Sequence, residues 1–110
     1  MGPSAVGAIV LVPFPFSDLS QSKLRPAVAL ADAGRGDWIL CQITSNSYAD
    51  SCAVELQSSD LQSGTLIRTS YARPGKLFTA NDHLIVGEVA ILGVAALNRL
   101  LDAVVLLIRP

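Results

Sequence analysis

The sequence predicts a mainly β protein, a small antiparallel barrel with one C-terminal α-helix. Three observations point there. Short β-branched or apolar runs recur along the chain, beginning with Ala8-Ile9-Val10-Leu11-Val12. Gly, Pro, Asn and Asp clusters separate them, as between strands of a small barrel. The most apolar tract, Gly93 to Ile108, reads as a helix and stands at the end of the chain.

Each element follows from local chemistry. Ala8 to Val12 reads as the first strand, stopped by Pro13-Phe14-Pro15-Phe16, because proline cannot donate a ladder hydrogen bond. The polar stretch Ser17 to Lys23 reads as an exposed, mobile loop. Its flanking phenylalanines either pin the loop to the core or offer a ring for base stacking. Arg25 to Ala31 is the second strand, with Arg25, Ala27, Ala29 and Ala31 on one face and Val28 and Leu30 on the other. Asp32 to Asp37, with Gly34 and Gly36, is a turn. In the third strand, period two groups Trp38, Leu40, Gln42 and Thr44 against Ile39, Cys41 and Ile43.

A polar loop from Ser45 to Ser51 leads to a short strand at Ala53 to Leu56. Leu66 to Phe78 reads as two short strands or one bent ribbon, interrupted at Pro74-Gly75. Ala80 to His83 is a turn, Leu84 to Leu92 a strand, and Gly93 opens a packed helix with Ala95, Asn98, Arg99 and Asp102 as its polar stripe.

At 110 residues and 51% hydrophobic content the chain closes one core, so residues 1–110 form a single domain. Charged residues are only 15%, which leaves apolar surface for an oligomer interface. Cys41, Cys52 and the lone His83 make neither a disulfide framework nor a zinc pattern, so we expect no metal, no cofactor and a reducing cytoplasm. No signal peptide is expected, and Gly93 to Ile108, interrupted by Asn98, Arg99 and Asp102, is too short to span a membrane.

A net charge of −1 excludes binding to nucleic acid through bulk charge. Local clustering is another matter. Five of the eight cations fall in two acid-free windows, Lys23 and Arg25 in one, Arg68, Arg73 and Lys76 in the other. Neither a Gly-rich phosphate loop with Lys-Ser/Thr nor a Gly-x-Ser-x-Gly elbow is present, and His83 reads as an ordinary turn residue. What remains is Arg25 at the start of one strand and Thr44-Ser45 at the end of the next, which an antiparallel hairpin brings together. That pair suits phosphate binding or a structural arginine-to-carbonyl contact.

The order of these segments resembles the PemK/MazF family of bacterial toxins. The resemblance rests on Gly7 to Asp18 (GAIVLVPFPFSD), Lys23 to Val28 (KLRPAV), Ile43 to Asn46 (ITSN) and Thr69 to Phe78 (TSYARPGKLF), and it covers nearly the whole chain. It implies an SH3-like antiparallel barrel with a C-terminal helix, paired as a homodimer. It also implies a toxin of a type II toxin–antitoxin system that cuts single-stranded RNA without a metal, leaving a 2′,3′-cyclic phosphate, and that is held by a cognate antitoxin.

The family's catalytic pair maps onto Arg25, stabilising charge and transferring protons, and Thr44, holding the scissile phosphate, with Ser45 auxiliary. Phe16, Lys23, Arg73 and Lys76 are candidates for RNA contact. Two departures stand out: Ala8 where many members carry an acid, and Arg73 where some carry an aspartate assigned to catalysis. The alternatives are a CcdB-like gyrase-binding toxin, whose terminal Trp-Gly-Ile this chain lacks, and a degenerate toxin kept as a binding module.

Overall fold

The structure is a computed structural model and describes residues 2–15, 22–47 and 50–110. The chain runs β1 (Ala8–Pro15), β2 (Ser22–Gly34), β3 (Asp37–Thr44), β4 (Val54–Leu56), β5 (Leu61–Gly64), β6 (Ser70–Asn81), β7 (Gly87–Leu92) and α1 (Val94–Ile108). Short 3₁₀ turns at Ser58–Asp60 and Asp82–Leu84 precede β5 and β7. The strands form one curled antiparallel sheet in the order β4-β6-β3-β2-β1-β7-β5, with the helix at the end of the chain.

Period two sorts the central strands into two buried layers, as the alternation of small and large residues predicts. Ile9, Val28, Cys41, Ile43 and Ala72 face α1, which supplies Ala96, Leu100 and Val104 at helical spacing. Val10, Ala27, Ala29, Leu40 and Ala80 line the other face, closed by Ile85 and flanked by Trp38 and Phe78. The β2–β3 hairpin pairs Gly34 with Asp37 around Arg35 and Gly36. Their φ values of 57° and 80° are those of a turn matching the right-handed twist of the strands.

The structure departs from the sequence expectations where proline and polar residues are concerned. β1 does not stop at Pro13 but runs to Pro15, pairing Pro13 with Leu24 and Phe14 with Lys23. The carbonyl of Leu11 accepts from Val86, so alternation turns Pro13 and Pro15 to that same side, away from β2 and beyond the end of β7. No ladder bond is lost there. Phe14 packs edge-on against Phe78 with ring centroids 5.0 Å apart; Phe16 and residues 17–21 of the expected loop lie outside the described residues, and Ser22 and Lys23 belong to β2 instead of the loop.

β6 begins at Ser70 rather than Leu66, and Pro74-Gly75 bends it without ending it: its register with β3 shifts between Cys41↔Leu77 and Ile43↔Ala72. β7 begins at Gly87 rather than Leu84. The polar strand β5 has no hydrophobic alternation to betray it. It is held as an edge on β7, where Gly64 (φ +81°) passes so close that a Cβ would lie 2.3 Å from the Val89 carbonyl. The buried residues of α1 end at Val104, leaving Val105, Leu106 and Ile108 exposed. Among the described residues no helix is long and apolar enough to cross a membrane.

Candidate active site at the fork between β2 and β3

Pro26 opens the site. The N–H and C=O groups of Ala29 face β1, since its carbonyl accepts from Gly7, so even-numbered residues of β2 turn theirs to β3. Pro26 would donate to β3 there and has no N–H to give. The β2–β3 ladder ends one residue earlier along β3, at Ala27↔Gln42. Beyond that pair β2 stays with β1 as far as Pro15↔Ser22, whereas β3 stays with β6 as far as Thr44↔Tyr71. The strands part, and the gap is a cavity of about 450 Å³.

Arg25 and Thr44 stand on opposite prongs of this fork. Continuing the register of Ala27↔Gln42 sets them across from each other, and alternation gives both to one sheet face, that of Ala27 and Leu40. Both line the cavity, together with Lys23, Ser45 and Arg68. Thr44 is buried, at 6% exposure, and its Oγ1 accepts from the Asn46 N–H at 3.2 Å. That bond uses one lone pair of the hydroxyl oxygen and leaves its proton to be donated to a ligand. Arg25 is half-buried and Ser45 exposed.

Among the described residues the charged groups of the lining have one sign, being Lys23, Arg25 and Arg68. A polyanion fits such a surface, despite the chain's net charge of −1, because the local set of charges decides. The larger cavity, about 720 Å³ at the opposite end of β2, is lined by Asp32, Asp82 and Glu88 with Arg35. Two of its carboxylates serve the fold: Asp82 accepts from Trp38 Nε1 at 3.0 Å, and Glu88 from Ser4.

Not every expected residue gathers there. Arg73 lies on β6 outside the cavity lining and forms an ion pair with Asp50, Nε to Oδ2 at 3.0 Å. Lys76 is exposed on β6 and does not line the cavity either. Two groups were not singled out from sequence: the backbone N–H of Asn46, and Arg68. Arg68 did carry a signal, its place in the second acid-free window. Among the described residues no cluster of three or more His, Cys, Asp or Glu could hold a metal ion.

No protein-family model matches the chain, and no curated protein matches its sequence. Solved structures do match its fold. The chain superposes on an endoribonuclease from a mycobacterial species, solved in complex with its cognate antitoxin, with a TM-score of 0.72 at 14% identity, covering 98% of this chain and 95% of that one. For the MazE–MazF complex of Deinococcus radiodurans the TM-score is 0.74 at 17% identity, with 94% of each chain covered. For the Mycobacterium tuberculosis toxin MazF-mt6 it is 0.69 at 16% identity, over 89% of this chain and 92% of that one. The chain therefore has the MazF fold along nearly its whole length.

Proposed function

We propose that this protein is the toxin of a toxin–antitoxin pair and cuts single-stranded RNA at the β2–β3 fork. One observation carries the reading: continuing the β2–β3 register brings Arg25 across from Thr44, and both line a cavity whose charged groups, among the described residues, are cations. The MazF fold supports it, as does the endoribonuclease among the solved structures with that fold.

The substrate brings its own nucleophile. The 2′-hydroxyl attacks the adjacent phosphorus, a bond forms between O2′ and P, and the bond from P to O5′ breaks. The proton lost by O2′ is balanced by the one gained by O5′. The products are a 2′,3′-cyclic phosphate and a 5′-hydroxyl end. Negative charge gathers on the non-bridging oxygens, where Arg25 neutralises it and the Thr44 hydroxyl donates to one oxygen. Among the described residues the charged groups of the lining are cations, which supports charge stabilisation as the main source of acceleration, with Arg25 the group at hand for proton transfer. Ser45, exposed at the end of β3, adds a second hydroxyl. The reaction calls for no metal.

The partners follow from the same reading. A free toxin harms its own cell, so an antitoxin covers the fork, and the cytoplasm holds both toxin and messenger RNA. The exposed apolar end of α1, with Val105, Leu106 and Ile108 each more than half exposed, supports a protein partner or a second copy of the chain.

The test is to incubate the purified protein with a long single-stranded RNA in EDTA and map the fragment ends. Discrete cuts ending in cyclic phosphate are expected. Intact RNA, at protein concentrations well above those of the RNA, would overturn the reading and turn attention to a gyrase-binding or purely binding role.

A further inference from the structure

We infer that Arg68 is a second phosphate-binding residue of the fork, gripping an RNA backbone phosphate other than the one held by Arg25 and Thr44. The inference rests on the RNA-cleaving reading and extends it.

Three observations place Arg68 in this role. It lines the same cavity as Arg25 and Thr44, although it comes from the connection between β5 and β6. Its position there is fixed by strand pairing: Tyr71 lies across from Thr44, and Ser70, buried at the start of β6, donates from Oγ to the Arg68 carbonyl at 3.1 Å. Arg68 thus leaves the chain three residues before the partner of Thr44, at a bend in the connection that enters β6, so the two side chains reach one cavity from different elements. Finally, neither of the ion pairs among the described residues uses Arg68, in contrast to Arg73 and Arg99, and its side chain is exposed.

A guanidinium suits this task better than an ammonium. Its planar set of donors can engage two oxygens of one phosphate, so it fixes the direction of the backbone as well as supplying charge. With Lys23 on the β2 prong, the fork presents cations on both sides of the Arg25–Thr44 pair.

The experiment measures binding of a fluorescein-labelled single-stranded RNA to the non-cleaving Arg25→Ala protein, with and without Arg68→Gln, across about 50 to 200 mM salt. Each phosphate contact on a single strand contributes about 0.7 to the slope of log K against log salt. Arg68→Gln is expected to weaken binding and make the slope shallower by about 0.7, and Arg68→Lys to keep the slope. A loss of affinity at unchanged slope, or no loss, would overturn the role of Arg68 while leaving the RNA reading intact. RNA that binds neither the parent nor the Arg25→Ala protein would overturn both.

Discussion

Asp50 accepts a 3.0 Å hydrogen bond from Arg73 Nε on one carboxylate oxygen and a 2.9 Å bond from the Cys52 N–H on the other. The loop after Thr44, which begins with Ser45 and Asn46, is thereby tied at its far end to β6. Arg73 serves this loop from outside the cavity.

The tie depends on pH in a defined direction. Arg73 first, and the Cys52 amide second, hold the Asp50 carboxyl below its ordinary value of 3.8. A carboxyl lowered by folding stabilises the fold above its unfolded pKa, and the contribution is lost as pH falls through the folded value. Asp50→Asn should therefore lower the thermal midpoint at about pH 7, and the gap to the parent should close as pH falls below the ordinary Asp range. Thermal melts across that range check it; a gap that persists in full at the acid end contradicts it.

Pro26 should be a functional proline without touching substrate. Pro26→Ala restores an N–H facing β3, so the ladder can extend toward Ile43 and narrow the fork. Cleavage should fall several-fold while the melting temperature holds or rises, and hydrogen exchange should show a protected amide at position 26. A fast-exchanging amide with unchanged cleavage would mean that the proline does not hold the strands apart.

The two cysteines should differ sharply in reactivity. Burial pushes the Cys41 thiol up to about 12, against a smaller opposing effect from the Arg73 backbone. Cys52 is exposed. A thiol reagent at about pH 8 should modify only Cys52 in the folded protein and both cysteines after denaturation. Rapid native labelling of Cys41 would show that the sheet opens at β3.

The parts of the fold that were legible in the sequence are those governed by period two and by turn chemistry. Ala27 and Ala29 against Val28 and Leu30 already define the two faces of β2, and Gly34 with Gly36 marks its hairpin. The proximity of Arg25 and Thr44 follows from that hairpin alone. β5 escaped notice because Gln62 and Ser63 carry no hydrophobic signal, its strand character coming from pairing with β7. Arg68 reaches the cavity only because β5 and β6 lie on different sides of the sheet, a fact of topology that spacing does not encode. Arg73 read as a cation like its neighbours because Asp50, its partner, lies 23 residues away.

The most direct test of the account compares single-turnover cleavage of one mapped RNA oligonucleotide by the parent, Arg25→Ala and Thr44→Ala proteins, with circular dichroism to verify the fold. The account predicts folded variants, cleavage lost with Arg25→Ala, and a rate lower by roughly 10²-fold with Thr44→Ala. Folded variants that cut at the parent rate would contradict it and move the chemistry away from the fork.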